Sequence, residues 1–460
     1  MEPWDVTVVG GGILGTSIAG WLADRYEGRI AVLEREAHVA EHTSRRNTGV
    51  VHRPFYLDPI SRRIFARSAN VSYGLWKAFA RLRGLPWHPV GTLEIATDEV
   101  RVARLGTYLK WGPENGMAPE ELELLTAAQV RRIEPHIRCH GALFAKTDTG
   151  VNFRAFTQAV REDAERAGAV FLTDREVVGL EPTRDAVEIL VRRGASMPRD
   201  VPLDPRHRVH ATASPAVEVH RTRFLINCAG GNAMDLAHML GVGLEYADLH
   251  FRGEYWTVRP EWAYLSSHNI YTVPRHPDLP FLDPHWIVRA DGRREIGPNA
   301  VPVPTPKSYR GFPGEPADLV KKLFEAPIRN KARLLVNPDF LTLAAEESLS
   351  SISKRAMARR VRRFLPELRP RSLDGPGVAG IRASVVDREG RFVKEAIQLP
   401  GPNSYHILNF NSPGATGAPA YTAWVVKGLA SRGYLAHLRE KPASKGPWDF
   451  AAVVAAVEGT

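Results

Sequence analysis

The chain has 460 residues, 44% hydrophobic and 24% charged, a balance that excludes a disordered polymer and a small disulfide-stapled scaffold. At roughly 150 residues per domain two to three domains are expected, and a chain this long removes about three quarters of its unfolded surface from water. Lys and Arg number 61 against 51 Asp and Glu, a net charge of +10 that suits acidic small molecules, anionic lipid or nucleic acid without choosing among them.

Only Cys139 and Cys228 are present, which gives no metal-ligand spacing and no disulfide framework and fits a reducing compartment. Met1 to Val9 lacks the basic start, apolar stretch and small-residue cleavage site of a secretory signal. Apolar runs such as Ala451–Val457 fall far short of the ~18 residues that suggest a membrane span. The expectation is a cytoplasmic protein, soluble or peripheral on the cytoplasmic face of a membrane.

Asp5–Val9 reads as a buried strand, followed by Gly10-Gly-Gly12-Ile13-Leu14-Gly15 and a helical pattern through Ile18, Trp21 and Leu22. Arg29–Leu33 is a second strand, so the opening residues form a βαβ unit and imply a parallel sheet. Between a strand and a helix, the G-x-G-x-x-G spacing permits a tight turn and close approach of a pyrophosphate to the helix N-terminus. Glu34 ends the second strand, where a carboxylate accepts hydrogen bonds from ribose hydroxyls. An ordinary glycine turn is the plainer alternative, and the motif does not distinguish FAD from NAD.

Further along, 60–82 reads as a helix, 91–96 as a strand, 153–168 as a helix, and 170–172 and 176–181 as strands. Residues 190–222 are rich in Arg, Pro, His and Ala and read as a surface excursion or hairpin. Phe224–Ala229 is a buried strand ending in Gly230-Gly231. From His250 to Val301 the pattern is strand-like and aromatic, an antiparallel sheet, and 315–368 turns helical. Tyr405–Asn409 is a strand that leads through Ser412-Pro-Gly-Ala-Thr416 into an apolar helix.

His42-Thr-Ser-Arg-Arg-Asn-Thr-Gly-Val-Val-His52 and Phe251-Arg-Gly-Glu-Tyr-Trp256 resemble the FAD-dependent D-amino-acid-oxidase-like superfamily. Within it the likeness is to the L-2-hydroxyglutarate dehydrogenase/oxidase group, related to malate:quinone oxidoreductases. Ile270–Pro274, Asp278–Leu282, Ile296–Val301, Ser351–Ala356 with Phe364–Leu368, Gly380–Ala383 and Ser412–Thr416 extend it over about residues 5–435.

The resemblance implies an α/β chain, α+β overall, with a Rossmann-like FAD-binding domain interleaved with an antiparallel-sheet substrate domain. The expected boundaries are 1–85, 145–240 and 370–440 for FAD, 86–144 and 241–369 for substrate, and 441–460 as a C-terminal tail. It further implies oxidation of an L-2-hydroxy (di)carboxylic acid to the 2-oxo acid, L-2-hydroxyglutarate first and malate next. Electrons would pass to quinone or another respiratory acceptor. An amino-acid or N-methyl-amino-acid oxidase using oxygen, and a non-catalytic flavin-binding protein, are the competing readings.

Such an oxidation needs a hydride acceptor, a base for the hydroxyl proton and cations for carboxylates. His52 is the first candidate base and His285 the second. Arg382 is the candidate carboxylate clamp, because a guanidinium grips carboxylate with two parallel bonds. Arg252 and Arg53 are further cations, and Tyr255, Tyr271 and Asn411 supply hydroxyl or amide donors. The hydroxyglutarate group usually carries a small residue after this histidine, then Gly and an aromatic pair. His52-Arg-Pro-Phe-Tyr56 departs from that pattern and suggests a differently sized or more acidic hydroxy acid.

For FAD, the candidates are Gly10, Gly12, Ile13, Leu14, Gly15, Glu34 and Arg35, with Ser44, Arg46, Asn47 and Thr48 on phosphates or ring edge. Val177 is expected to meet the adenine through its backbone, and Ala229 and Gly230 to approach the dinucleotide. Gly380 and Arg382, with Pro413, Gly414, Ala415 and Thr416, are placed near the flavin ring, where a helix N-terminus stabilises reduced anionic flavin. Each residue type also serves ordinary turns and caps.

Between Lys354 and Arg371 eight Lys or Arg stand against the single Glu367, interleaved with Met357, Val361, Phe364 and Leu365. This basic amphipathic helix suits an anionic bilayer, or equally a solvated helix packed by its apolar stripe. No nucleic-acid module accompanies the charge, so DNA and RNA are excluded as main partners.

Overall fold

The computed structural model describes residues 2–194, 217–275, 283–309, 320, 322–325, 327–442 and 446–459. They belong to two compact units, one made of Met1–Arg45, Phe153–Tyr246 and Lys394–Thr460, the other of Arg46–Asn152 and Ala247–Val393.

The first unit is built on a sheet whose central strands are parallel. Trp4–Val9 lies between Ile30–Leu33 and Val217–Asn227, with Val6 level with Ile30 and with Phe224. Val170–Leu172 extends the parallel sheet on one side and Ser404–Leu408 on the other. Parallel strands flanked by helices are covered on both faces, and the runs are accordingly apolar: Val6, Val8, Ala31, Val32, Leu225 and Ile226 are all fully buried. Helix Ile13–Arg25 packs against helices Phe153–Arg166 and Gly414–Ser431, and Trp21 Nε1 donates to Pro419 O at 2.8 Å.

The excursion expected at 190–222 has paired legs, Val187–Arg193 running antiparallel to Val217–Thr222; residues 195–216 lie outside the described residues. The expected C-terminal tail is a packed element. Helix Phe450–Glu458 buries Val453, Val454 and Val457, and Trp448 and Phe450 place their rings 5.7 and 5.4 Å from Trp21.

The second unit carries an eight-stranded sheet in the order 373–376, 256–258, 294–297, 285–288, 269–272, 92–96, 141–145, 122–126. It is antiparallel except where Asn269–Thr272 runs parallel to Thr92–Ala96. Leu93, Ile95, Ile270, Trp286 and Ile296 share one core with Met357, Val361, Phe364, Leu365 and Leu368. A three-stranded sheet joins Ala247–Gly253 to Val301–Val303 and Gly380–Val386.

Two expectations are corrected here. Residues 46–85, 145–152 and 370–393, expected among the FAD segments, fall in the second unit, while 241–246, expected among the substrate segments, and 441–460, expected as a tail, fall in the first. The reason is pairing: Val50–Val51 lies against Thr149–Gly150, and Gly380–Val386 against Ala247–Gly253. Second, the apolar stripe of the basic segment 354–371 is spent on the core beneath the large sheet, and Arg360 is ion-paired to the buried Glu347 at 2.5 Å. That stripe has no apolar side chains left for a bilayer. No helix among the described residues is long and apolar enough to cross a membrane. The sequence match at Asp278–Leu282 lies outside the described residues.

Candidate active site

The nucleotide end assigns each motif glycine a separate physical task. Gly10 has φ +108°, and a Cβ there would sit 2.5 Å from Cys228 O; a Cβ on Gly15 would sit 2.0 Å from Gly10 O. The first glycine therefore makes the turn and the third lets the helix approach the strand. Gly12 is different, because its Cβ would meet only Ser44 Oγ, at 3.2 Å. It borders the helix N-terminus, where Gly12 gives no side-chain cap and Ser44 Oγ accepts from Ile13 N–H at 2.9 Å.

This cradle of backbone N–H groups, with Leu14 in the first turn, fits a pyrophosphate. Glu34 accepts from Gly11 N–H at 2.7 Å and Glu36 N–H at 2.9 Å. Burial raises its carboxyl above the usual range, against the lowering effect of those two donors. Its position at the end of strand Ile30–Leu33 fits the ribose contact expected from sequence.

Arg35 donates to Asn232 Oδ1 at 2.7 Å. Val177 sits in strand Arg175–Pro182 beside a register shift. Ala229 N–H is held by Asn227 Oδ1 at 3.2 Å, and Gly230 has φ +58°. Pro413 precedes helix Gly414–Ser431, whose N-terminus has no side-chain cap and whose first turn holds Ala415 and Thr416. Asn411 lies in this same unit and donates to Asn409 Oδ1 at 2.7 Å. The two helix N-termini, whose own N-cap residues Gly12 and Pro413 supply no side-chain cap, and the glycine cradle match what FAD requires.

In the second unit, alternation along the strands decides which side chains meet. With Leu93, Ile95, Ile270, Trp286 and Ile296 in the core, Thr92, Glu94, Tyr271, His285 and Glu295 face the other side of the sheet. There His52 Nδ1 lies 3.0 Å from Asp148 Oδ2, and His52 Nε2 lies 3.5 Å from the Tyr271 hydroxyl. Tyr271 also hydrogen-bonds Thr48 and stacks on His285 with ring centroids 3.9 Å apart. Neither ring nitrogen of His285 has a hydrogen-bond partner among the described residues, and burial pushes the imidazole down to about 3.

Arg382 is within electrostatic reach of His285, Tyr255, Tyr56 and Arg62, and burial lowers its guanidinium below the ordinary value. Tyr255 is pushed up to about 12, chiefly by burial, so it stays a neutral phenol that can donate. The loop before His52 is tied down from two sides. Asn47 O accepts from Arg289 Nη1 at 2.5 Å, and Arg46 lies 4.1 Å from the Tyr309 ring. A Cβ on Gly380 would sit 2.1 Å from Arg46 O, which only glycine tolerates.

Two expected substrate cations are engaged elsewhere. Arg53 donates to Glu121 Oε2 at 2.6 Å and lies 4.3 Å from the Tyr73 ring. Arg252 is buried, pairs with Glu254 at 2.9 Å and donates to Ser308 O at 3.1 Å. Each of these two charges is balanced by a carboxylate of the chain itself.

Sequence reasoning missed Asp148, Glu94, Arg62 and Tyr56. Glu94 left a readable trace, a lone charge inside the apolar strand Thr92–Ala96. It is buried, its carboxyl has no hydrogen bond or ion pair among the described residues, and that carboxyl is pushed up to about 8 by burial and by Asp148 and Asp283. Asp148, in a Thr-Asp-Thr-Gly turn, looked like any turn residue.

Gly12→Val would drive a branched side chain into the cradle. Purified protein is expected to lose its 450 nm flavin absorbance while its circular dichroism stays native. Glu94 supplies a pH signature. Folded chains hold its proton up to about pH 8, unfolded chains release it near the ordinary 4.5, so stability falls as pH rises through that window. The fall is at most about 1.4 kcal/mol per pH unit. Glu94→Gln removes it, and the variant's gain in melting temperature over the parent should grow from pH 5 to pH 8.

A family model described as FAD dependent oxidoreductase (DAO) matches residues 5–427. The L-2-hydroxyglutarate dehydrogenase of Escherichia coli strain K12 is 30% identical over 425 residues, 92% of each chain. That of Salmonella houtenae is 31% identical over 445 residues, 96% of each chain, and the human mitochondrial L-2-hydroxyglutarate dehydrogenase is 26% identical over 449 residues, 93% of this chain and 89% of that one. Among solved structures, dithionite-reduced L-alpha-glycerophosphate oxidase from Mycoplasma pneumoniae with FAD bound superposes with a TM-score of 0.69 at 19% identity, covering 97% of this chain and 99% of the other. Glycine oxidase from Geobacillus kaustophilus gives 0.64 at 16% identity, with 98% of each chain covered; these two likenesses show the fold. Matched by the family model and by close relatives along nearly all its length, the chain belongs to the DAO family and is an FAD-dependent oxidoreductase.

Proposed function

We propose that the enzyme oxidises an L-2-hydroxy dicarboxylic acid to the 2-oxo acid, with L-2-hydroxyglutarate as first substrate and malate as second. The observation that carries this reading is the convergence of His52, Tyr271, His285 and Arg382 in the substrate unit. The relatives named L-2-hydroxyglutarate dehydrogenase support the choice of substrate.

Bound FAD supplies the hydride acceptor. His52 Nε2 takes the hydroxyl proton, and Arg382 grips the carboxylate next to the reacting carbon with two donors. Tyr255 and Tyr271, kept neutral by burial, donate hydrogen bonds to substrate oxygens. His285 is held neutral and orients Tyr271 by stacking. Arg62, within electrostatic reach of Arg382, is the cation proposed for the distal carboxylate.

For the acceptor we propose a quinone or another respiratory carrier, met at an anionic membrane surface. Support comes from helices Ile328–Leu335 and Pro338–Ile352 and the residues following each. Val336 and Ile352 are 77% and 71% exposed, with the exposed cations Arg329, Arg333 and Arg355 on the same segments.

Anaerobic bleaching of the flavin tests the substrate. L-2-Hydroxyglutarate is expected to bleach fastest, L-malate next, and D-isomers and amino acids not at all; reduction by amines alone overturns the reading. Arg62→Ala should weaken the dicarboxylates about tenfold or more and leave L-lactate unchanged. The membrane reading predicts salt-sensitive sedimentation with anionic vesicles, lost in Val336→Asp/Ile352→Asp. Neutralising Arg359, Arg362 and Arg363 should leave it intact, and an unaffected double variant refutes that surface.

A further inference from the structure

We infer that Asp148 is a positioning residue that sets the tautomer of His52; the inference rests on His52 being the base proposed above. The Asp148 side chain is wholly buried, and each of its oxygens meets a donor. Oδ1 accepts from the backbone N–H of Arg53 at 2.7 Å. Oδ2 accepts from Thr92 Oγ1–H at 2.7 Å and lies 3.0 Å from His52 Nδ1. An ionised carboxylate has acceptors and no proton to give, so the imidazole hydrogen resides on Nδ1. Nε2 is left with its lone pair, on the side of the Tyr271 hydroxyl.

The same carboxylate then serves a second purpose. When Nε2 takes the hydroxyl proton the ring becomes a cation in a low-dielectric setting, and the anion already touching Nδ1 offsets that charge. Among the described residues the Tyr56 and Tyr271 rings pack edge-on against His52, and His285, within electrostatic reach, is held neutral by burial. Glu94, within electrostatic reach of Asp148, is kept protonated at neutral pH chiefly by burial. Asp148 is thus the anion the ring depends on.

Arg53 makes the test sharp. In Asp148→Asn its backbone N–H keeps the amide oxygen on its own side and turns the amide NH2 toward Thr92 and His52 Nδ1. That NH2 donates to Nδ1, which forces the hydrogen onto Nε2 and removes the base without removing the histidine. The expected result is a fall in kcat of roughly 10³-fold with KM changed by less than about threefold. Flavin content and melting temperature should stay near those of the parent. The residual rate should climb about tenfold per pH unit between roughly pH 8 and 10, as hydroxide replaces the lost base; a merely structural defect shows no such climb.

His52→Ala separates the inference from the reading beneath it. Loss of activity with rescue by added imidazole supports the base. A His52→Ala enzyme of undiminished kcat overturns the base itself. Collapse of His52→Ala beside an Asp148→Asn enzyme of near-parental kcat overturns Asp148 alone. A readout that needs no Asp148 variant is nitrogen-15 histidine spectroscopy of the parent holoenzyme, with the His52 signal identified by its loss in His52→Ala. The hydrogen is expected on Nδ1, and a neutral ring carrying it on Nε2 refutes the inference.

Discussion

The second unit depends on one constraint, the strict alternation of side chains across its eight-stranded sheet. Burying Leu93, Ile95, Ile270, Trp286 and Ile296 against the segment from Met357 to Leu368 commits the intervening residues to the opposite face. That is where Thr92, Glu94, Tyr271 and His285 lie. A register slip of one residue would bring Trp286 to the candidate-site face and His285 into the core. Apolar packing on one face therefore determines which polar groups can meet on the other. Positional precision of the site comes from a core that none of the reacting groups belongs to.

Electrostatics then sort the polar face. A cation beside a carboxylate of its own chain has little left to offer a substrate, since a ligand would have to displace a paired and partly desolvated partner. Arg53 with Glu121, Arg252 with Glu254 and Arg289 with Glu295 are satisfied in this way. Burial works in the opposite direction on the uncharged donors. It keeps Tyr255 and Tyr271 as phenols and His285 as a neutral imidazole, leaving hydrogen-bond donors that do not compete with Arg382 for charge.

Much of the first unit was legible in the sequence because its signals are local. Gly10, Gly12 and Gly15 act within one turn, Glu34 ends the adjacent strand, and apolar runs mark parallel strands whose partners are dictated by βαβ connectivity. The basic helix was legible as amphipathic, but amphipathicity does not say what covers the apolar stripe. The packing of Met357, Val361, Phe364 and Leu365 against the sheet answers that, while exposed apolar side chains such as Val336 and Ile352 lie on and beside the helices before it. Boundaries near 46–85 and 370–393 were misplaced because short strands pair with segments far away in the chain, and pairing is invisible in composition.

The sequence by itself determined the class of cofactor end, the candidate histidines and Arg382, since each rests on residue chemistry read along a short stretch or on a run of ordered motifs. Tertiary structure alone decided which of those groups are available. Asp148 reaches His52 across 96 positions and Glu121 reaches Arg53 across 68. Such partners are chosen by the folding of distant strands into one surface, and no local pattern records them. Chemistry is written in single residues; protonation state, tautomer and free charge belong to pairs, and the pairs exist only once the chain has folded.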